Sequence, residues 1–169
     1  DPQSRQTFNT LYLRNKLYGS THGLELSVDW KPIEPLKFQL GYTYIGFDLE
    51  VDSDSINLNL GNIVEETRPK HQVSLQSTYT ITRDLQLNLW GRYVGQLKSS
   101  KDILSRGEMN ADSYLEMDAN LSWKVMNNME LMLVGQNLLN GGHLEYVSEF
   151  STPPIEVQRS FYGKITYHF

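Results

Sequence analysis

The sequence predicts an all-β fold: an antiparallel, up-and-down meander of about seven or eight transmembrane β-barrel strands. Three observations predict it. Apolar residues recur at every second position along most of the chain, the connections alternate between short and long, and aromatic residues of the apolar side gather toward the strand ends. A sheet with short turns at one end and long loops at the other is how strands that cross an outer membrane are joined.

Composition is compatible with this and closes off several alternatives. The 169 residues carry a net charge of −5, without a basic stripe of the kind that binds nucleic acid. Acidic residues are scattered, so their charge belongs to loops and solvated surfaces rather than to a tail. There is no cysteine, hence no thiolate metal site, disulfide framework or cysteine nucleophile. No apolar run is long enough for a helical span, whereas a membrane strand needs only about nine to eleven residues, every second one apolar. No signal peptide begins at Asp1, so the sequence is expected to be a mature chain or an excised piece of one.

The elements follow in order. Asp1 to Thr7 is a polar lead-in, and Phe8 to Arg14 is a weak first strand in which Leu11 and Leu13 are out of phase with Phe8 and Tyr12. From Gly23 the pattern is regular: Leu24, Leu26, Val28 and Trp30 oppose Glu25, Ser27, Asp29 and Lys31. The turn Pro32-Ile33-Glu34-Pro35 ends it, and Leu36, Phe38, Leu40, Tyr42 and Tyr44 lead back. A long polar connection from Asp48 to Pro69 follows. Val73, Leu75, Tyr79 and Ile81 then mark a strand that turns at Arg83-Asp84. Its partner carries Leu85, Leu87, Leu89, Tyr93 and Leu97, with Trp90 on the opposite face.

After a second long loop, Lys98 to Ser113, the clearest strand sets Leu115, Met117, Ala119, Leu121, Trp123 and Val125 against Glu116, Asp118, Asn120, Ser122 and Lys124. Asn127-Asn128 is a hairpin turn, since asparagine tolerates left-handed backbone angles. Glu130 to Leu138 returns, a third long loop covers Leu139 to Val157, and Arg159 to Phe169 closes the series with Phe161, Gly163, Ile165, Tyr167 and Phe169 on one face.

With the short turns taken as one end, the outward aromatics fall at two heights. Trp30, Tyr79, Trp123, Tyr167 and Phe169 lie near the short turns; Tyr42, Tyr44, Tyr93 and Phe161 lie toward the long loops. They are the expected girdle residues flanking an apolar band. The other face is ionic: Glu25, Asp29, Lys37, Arg92, Glu116, Asp118, Lys124, Glu130 and Lys164 are expected to face a polar lumen. Alternation alone also fits a soluble sheet with these residues in solvent, or a self-contained barrel of about eight strands with an adhesive or structural role.

No catalytic constellation emerges, so no enzyme is expected and no catalytic residue or cofactor is assigned. The histidines, His22, His71, His143 and His168, lack metal-ligand spacing, and Asp52-Ser53-Asp54 lacks the glycine and glutamate of a calcium loop. No metal site is expected. Lys98, Lys101 and Arg106 form the local basic group of the second long loop; with His143 they are the loop candidates for contacting a ligand, or a lipopolysaccharide phosphate by charge-assisted bonds. The plainer reading of all four is a solvated or lumen-facing side chain.

Several stretches together resemble a known family. They are Gly23-Leu24-Glu25 leading into Asp29-Trp30-Lys31-Pro32, Arg68-Pro69-Lys70-His71 at a strand entrance, Tyr114 with Asp118 four residues later, Gln136-Asn137-Leu138-Leu139-Asn140, and the strand from Arg159 to Phe169. In order and spacing they resemble the last barrel strands of TonB-dependent outer-membrane receptors. The resemblance implies that residues 1–169 are the C-terminal part of a larger β-barrel domain, without its plug domain and earlier strands; no energy-coupling box is visible in Asp1 to Asn15. It implies a bacterial outer-membrane location and uptake of a small-molecule or metal-chelate ligand, such as an iron-siderophore complex, heme, cobalamin or a glycan. The implied partners are outer-membrane lipid and lipopolysaccharide, the TonB complex through the missing N-terminal part, and the outer-membrane assembly machinery, which would read Tyr167 and Phe169.

Overall fold

A computed structural model describes residues 14–55, 60–99, 109–146 and 155–169. Its elements run β1 (Leu17–Ile33), β2 (Leu36–Val51), α1 (Leu60–Glu66), β3 (His71–Thr82), β4 (Leu85–Val94), β5 (Leu97–Ser99), β6 (Met109–Ala111), β7 (Tyr114–Met126), β8 (Met129–Gln136), β9 (Gly142–Leu144), β10 (Glu156–Gln158) and β11 (Ser160–Tyr167). Seven strands make one antiparallel sheet in the order β1-β2-β3-β4-β7-β8-β11, and β5-β6 and β9-β10 are small ribbons set into the long loops. The meander expected from the sequence is present. It does not close on itself, because β1 and β11 are its two edges.

All three short turns lie at one end, at Glu34-Pro35, Arg83-Asp84 and Asn127-Asn128. Each is tied to the neighbouring strand: Thr80 N–H donates to the Pro35 carbonyl at 2.8 Å, Lys124 N–H to Asp84 at 2.7 Å and His168 N–H to Asn128 at 2.9 Å. The opposite end carries α1 and both ribbons.

Alternation decides the faces. In register, Trp30 pairs with Phe38, Tyr79 with Leu36 and Leu87, Trp123 with Leu85 and Leu131, and Ile165 with Leu131. One side of the sheet is therefore continuously apolar. Among the described residues nothing packs over it: Leu133 is 63 % exposed, Phe161 70 % and Ile165 72 %. A water-soluble sheet would bury such a face under a second layer. The described buried apolar residues are few, and Leu97 and Ala111 of the β5-β6 ribbon, with Leu144 against them, cluster at the long-loop end.

Several boundaries differ from the sequence reading, for physical reasons. β1 starts at Leu17 rather than near Gly23, because β2 continues to Val51 and offers its backbone as a partner throughout. Alternation is lost there because this part of the hairpin stands above β3, whose pairing with β2 stops at Tyr44 and His71. At Gly19 the backbone has φ 154°, and a side chain would run into the Asp48 carbonyl. β1 also runs through Pro32, leaving a tighter turn than the expected Pro32 to Pro35.

The polar connection after β2 contains α1. Its Glu65 carboxylate accepts the Leu49 N–H at 2.8 Å, satisfying a donor on the stretch of β2 that has lost β3 as a neighbour. β4 ends at Val94, so Leu97 belongs to β5 instead. The last strand stops at Tyr167, and the Phe169 ring meets the Tyr167 ring edge-on at 5.1 Å. The expected strand from Phe8 falls almost wholly outside the described residues.

Candidate functional site

The face opposite the apolar one is polar, and several of its charges stand beside opposite ones. Lys37 Nζ lies 3.6 Å from Asp29, and Lys124 stands opposite Glu130 in register. The densest group forms at the long-loop end, where β4 and β7 put Arg92 directly opposite Glu116. Arg92 Nε and Nη2 both donate to Glu116 Oε2, at 3.1 and 2.6 Å. Nη2 also donates to Glu145 Oε1 at 2.7 Å. Glu145 follows β9, so one guanidinium joins the sheet wall to the third long loop.

His143 enters from β9 itself. Residues 143 and 145 project to the same side, as positions two apart in an extended chain do. His143 Nε2 lies 3.1 Å from Glu145 Oε1, and its ring stacks on Tyr114 at 4.0 Å. Arg92 also sits over the Tyr114 ring, 5.7 Å from its centroid, in cation–π geometry. The His143 side chain is 8 % exposed, Glu116 14 %, Glu145 32 % and Arg92 37 %. Partial burial strengthens these charge-assisted bonds relative to bonds in open water.

Three concavities surround the cluster. One of about 410 Å³ runs along Glu25, Ser27, Thr43, Gln72, Ser74 and Arg92. A second, about 180 Å³, is lined by Trp90, Arg92, Glu116 and Asp118. A third, about 340 Å³, lies between Asp112, Tyr114, Asn140 and His143. Each presents polar, hydrogen-bonding side chains, with apolar Leu26, Tyr42 and Val73 also lining the first.

The base of the third loop is fixed by the motif Gln136-Asn137-Leu138-Leu139-Asn140. Asn137 has φ 51° and is fully buried. Its N–H donates to Asp118 Oδ1 at 2.9 Å and its side-chain amide to the Val157 carbonyl at 2.9 Å. Leu138 N–H donates to Met117 O at 2.8 Å, and the Asn140 amide donates to Leu115 O at 2.7 Å. Arg159 reaches back to the Asn137 carbonyl with a longer bond of 3.4 Å. The motif residues read from the sequence thus meet around the start of β7.

Of the four loop candidates, His143 is brought into the cluster, on the short strand β9 within the third long loop. Lys98 lies on β5, exposed, with Asn110 opposite. Lys101 and Arg106 lie outside the described residues. Trp30, Tyr42, Tyr44, Tyr79, Tyr93, Trp123, Phe161 and Tyr167 all fall on the apolar face in register. Sequence reasoning placed Arg92 and Glu116 on the polar face but not together, and it missed Glu145. The available signal was the spacing His143-x-Glu145 on an extended segment.

The family model described as TonB dependent receptor-like, beta-barrel, matches residues 2–138. The chain belongs to the TonB-dependent receptors. Its fold agrees: it superposes on the ferric-catecholate import receptor Fiu from E. coli K12 with a TM-score of 0.66 at 21% identity, over 88% of this chain and 21% of that one. The ferripyoverdine receptor of the outer membrane of Pseudomonas aeruginosa gives a TM-score of 0.68 at 18% identity, over 87% and 19%. The copper transporter OprC gives 0.61 at 18% identity, over 88% and 23%. The chain therefore spans about a fifth of the length of these relatives, as one part of a larger barrel.

Proposed function

We propose that residues 1–169 form the C-terminal part of the barrel domain of an outer-membrane active-transport receptor, which imports a small-molecule or metal-chelate ligand through a TonB-gated barrel. The observation that supports this most is the two-sided sheet, with one bare apolar face and one ion-paired polar face, in a chain of this family. In this reading the apolar face meets lipid, and Trp30, Tyr79, Trp123 and Tyr167 form the girdle at the short-turn side. Tyr42, Tyr44, Tyr93 and Phe161 form the outer girdle, beside lipopolysaccharide. The short turns are periplasmic and α1 and the ribbons external. Tyr167 and Phe169 present the assembly signal, and the TonB complex engages the plug-bearing N-terminal part.

The receptor's ligand class includes iron-siderophore complexes, heme and cobalamin. The solved relatives named for ferric siderophores and for copper motivate a metal-containing cargo. Lys98, Lys101 and Arg106 are the loop residues proposed to meet an anionic ligand. The test is deletion of the gene for the whole receptor, with uptake of ferric siderophores, heme and cobalamin measured under limitation and binding of each to the purified receptor measured alongside. Loss of one uptake activity, matched by binding of the same ligand, is expected. Unchanged uptake of all of them with no binding contradicts the proposal.

A further inference from the structure

We propose that Glu116, His143 and Glu145 form a site for a borderline divalent transition-metal ion, of the Zn²⁺ or Cu²⁺ class, for which Arg92 is the built-in competitor. One imidazole nitrogen and two carboxylates suit such ions better than Mg²⁺ or Ca²⁺, which take oxygen ligands. The three donor atoms lie within 4.8 Å of one another. Ions of this class hold nitrogen and oxygen ligands at about 2.0–2.2 Å, so the donors must draw in by about 1 Å as the ion enters.

Two independent observations point to a cation here. The first is charge: a single guanidinium lies 2.6 and 2.7 Å from two half-buried carboxylates and offsets only one of their two charges. A divalent ion offsets both. The second is His143, whose side chain is 8 % exposed and brings Nε2 to 3.1 Å from Glu145 Oε1, while its other ring nitrogen, Nδ1, has no hydrogen-bond partner. A buried imidazole held only for structure usually satisfies both ring nitrogens. This one is not fully committed to the surrounding protein.

Glu116 comes from β7 and the other two donors from β9 and the residue after it, so an ion would clasp the external loop to the barrel wall. In the metal-free state Arg92 makes the same connection through hydrogen bonds. Ion and guanidinium are therefore alternatives for the same carboxylates.

The test uses the untagged full-length receptor in detergent, stripped by chelator and titrated with Zn²⁺ alone or Cu²⁺ alone. A binding step is expected that His143→Ala and Glu145→Gln remove and that Arg92→Gln tightens at least about tenfold, the scale of one charged hydrogen bond no longer competing. The Cu²⁺ spin-resonance spectrum of the unaltered receptor should show coupling to an imidazole nitrogen. Folding of each variant is checked by far-UV circular dichroism. Titrations that the His143 and Glu145 variants leave unchanged, an Arg92→Gln receptor that binds no tighter, or a Cu²⁺ spectrum without nitrogen coupling would overturn the site; the spectrum decides even if a variant misassembles.

Discussion

The backbone N–H of Asn137 donates to Asp118 Oδ1 at 2.9 Å, and this bond sets where the third long loop leaves the sheet. Asn137 sits at φ 51° and fully buried, in the left-handed region that asparagine tolerates better than other non-glycine residues. The donor it presents has lost its strand partner, and the carboxylate on β7 supplies one. The two motifs that looked separate in sequence, Tyr114 with Asp118 and Gln136 to Asn140, are two halves of one joint.

Breaking that joint has a predictable cost. Asp118→Ala strands a buried N–H and should destabilise the receptor by about 1–3 kcal/mol, whereas Asp118→Asn, which keeps a side-chain oxygen, should cost less. Asn137→Ala loses the bond to the Val157 carbonyl and adds left-handed strain of about 1–2 kcal/mol, which Asn137→Gly avoids. Urea unfolding of the receptor in micelles gives the ordering.

The Arg92 cluster should hold the loop rather than the sheet. Arg92→Ala leaves Glu116 and Glu145 facing each other without a cation; hydrogen bonds to charged groups are worth about 1.5–3 kcal/mol, and the lower end applies at 37 % exposure. The expected result is faster amide exchange over 142–146 with little change in β3 and β4. Equal acceleration in both regions contradicts a loop-specific role.

At the open end of the β1–β2 hairpin, Lys16 bonds Asp54 at 2.6 Å and Asp52 at 3.1 Å. The hydrogen bond from Lys16 holds the Asp52 carboxyl below its ordinary 3.8, and donating to Asp54 and Asp52 holds the Lys16 ammonium above its ordinary 10.5. A lowered carboxyl contributes stability above 3.8 that is lost as pH falls through the folded value. A raised ammonium contributes below 10.5 and is lost as pH rises through its folded value. Exchange protection at this end should hold between those limits and fall only beyond them, and the groups are at least partly exposed, so salt should weaken it. Loss of protection near neutral pH would contradict the assignment.

How much of this was readable depends on what each residue reports. Leu115 to Val125 spelled out β7 because both faces of that strand meet fixed, unlike surroundings, and Asn127-Asn128 marked its turn. Leu17 to His22 was illegible as strand, since above β3 no face requires apolar residues and only pairing with β2 makes it extended. α1 was hidden because its packing on β2 is tertiary, so close at Gly61 that an added Cβ would stand 3.0 Å from the Leu49 carbonyl oxygen. The cluster was hidden for another reason. Alternation assigns Arg92 and Glu116 a face but not a register, and Glu145 reaches them only because β9 folds back over the wall.

The apolar face should tolerate charge poorly. Leu121 lies mid-strand between Leu87 and Leu133. Leu121→Arg should cost about 2–4 kcal/mol in a bilayer, the scale for a basic residue at the midplane, and the neighbouring Ser122→Arg far less. Folding into vesicles across a urea series measures both.

The central claim is that alternate residues of one strand face lipid and lumen. Residues 1–169 have no cysteine, so once any cysteine elsewhere in the receptor is replaced, single cysteines can be placed here and spin-labelled without background. Labels at Ala119, Leu121 and Trp123, with Asn120, Ser122 and Lys124 between them, in the full receptor reconstituted in bilayers, test it most directly. Oxygen, which partitions into lipid, should relax the first three, and a water-soluble nickel chelate should relax the second three. Equal access of the nickel chelate to all six, or the reverse alternation, would contradict the account.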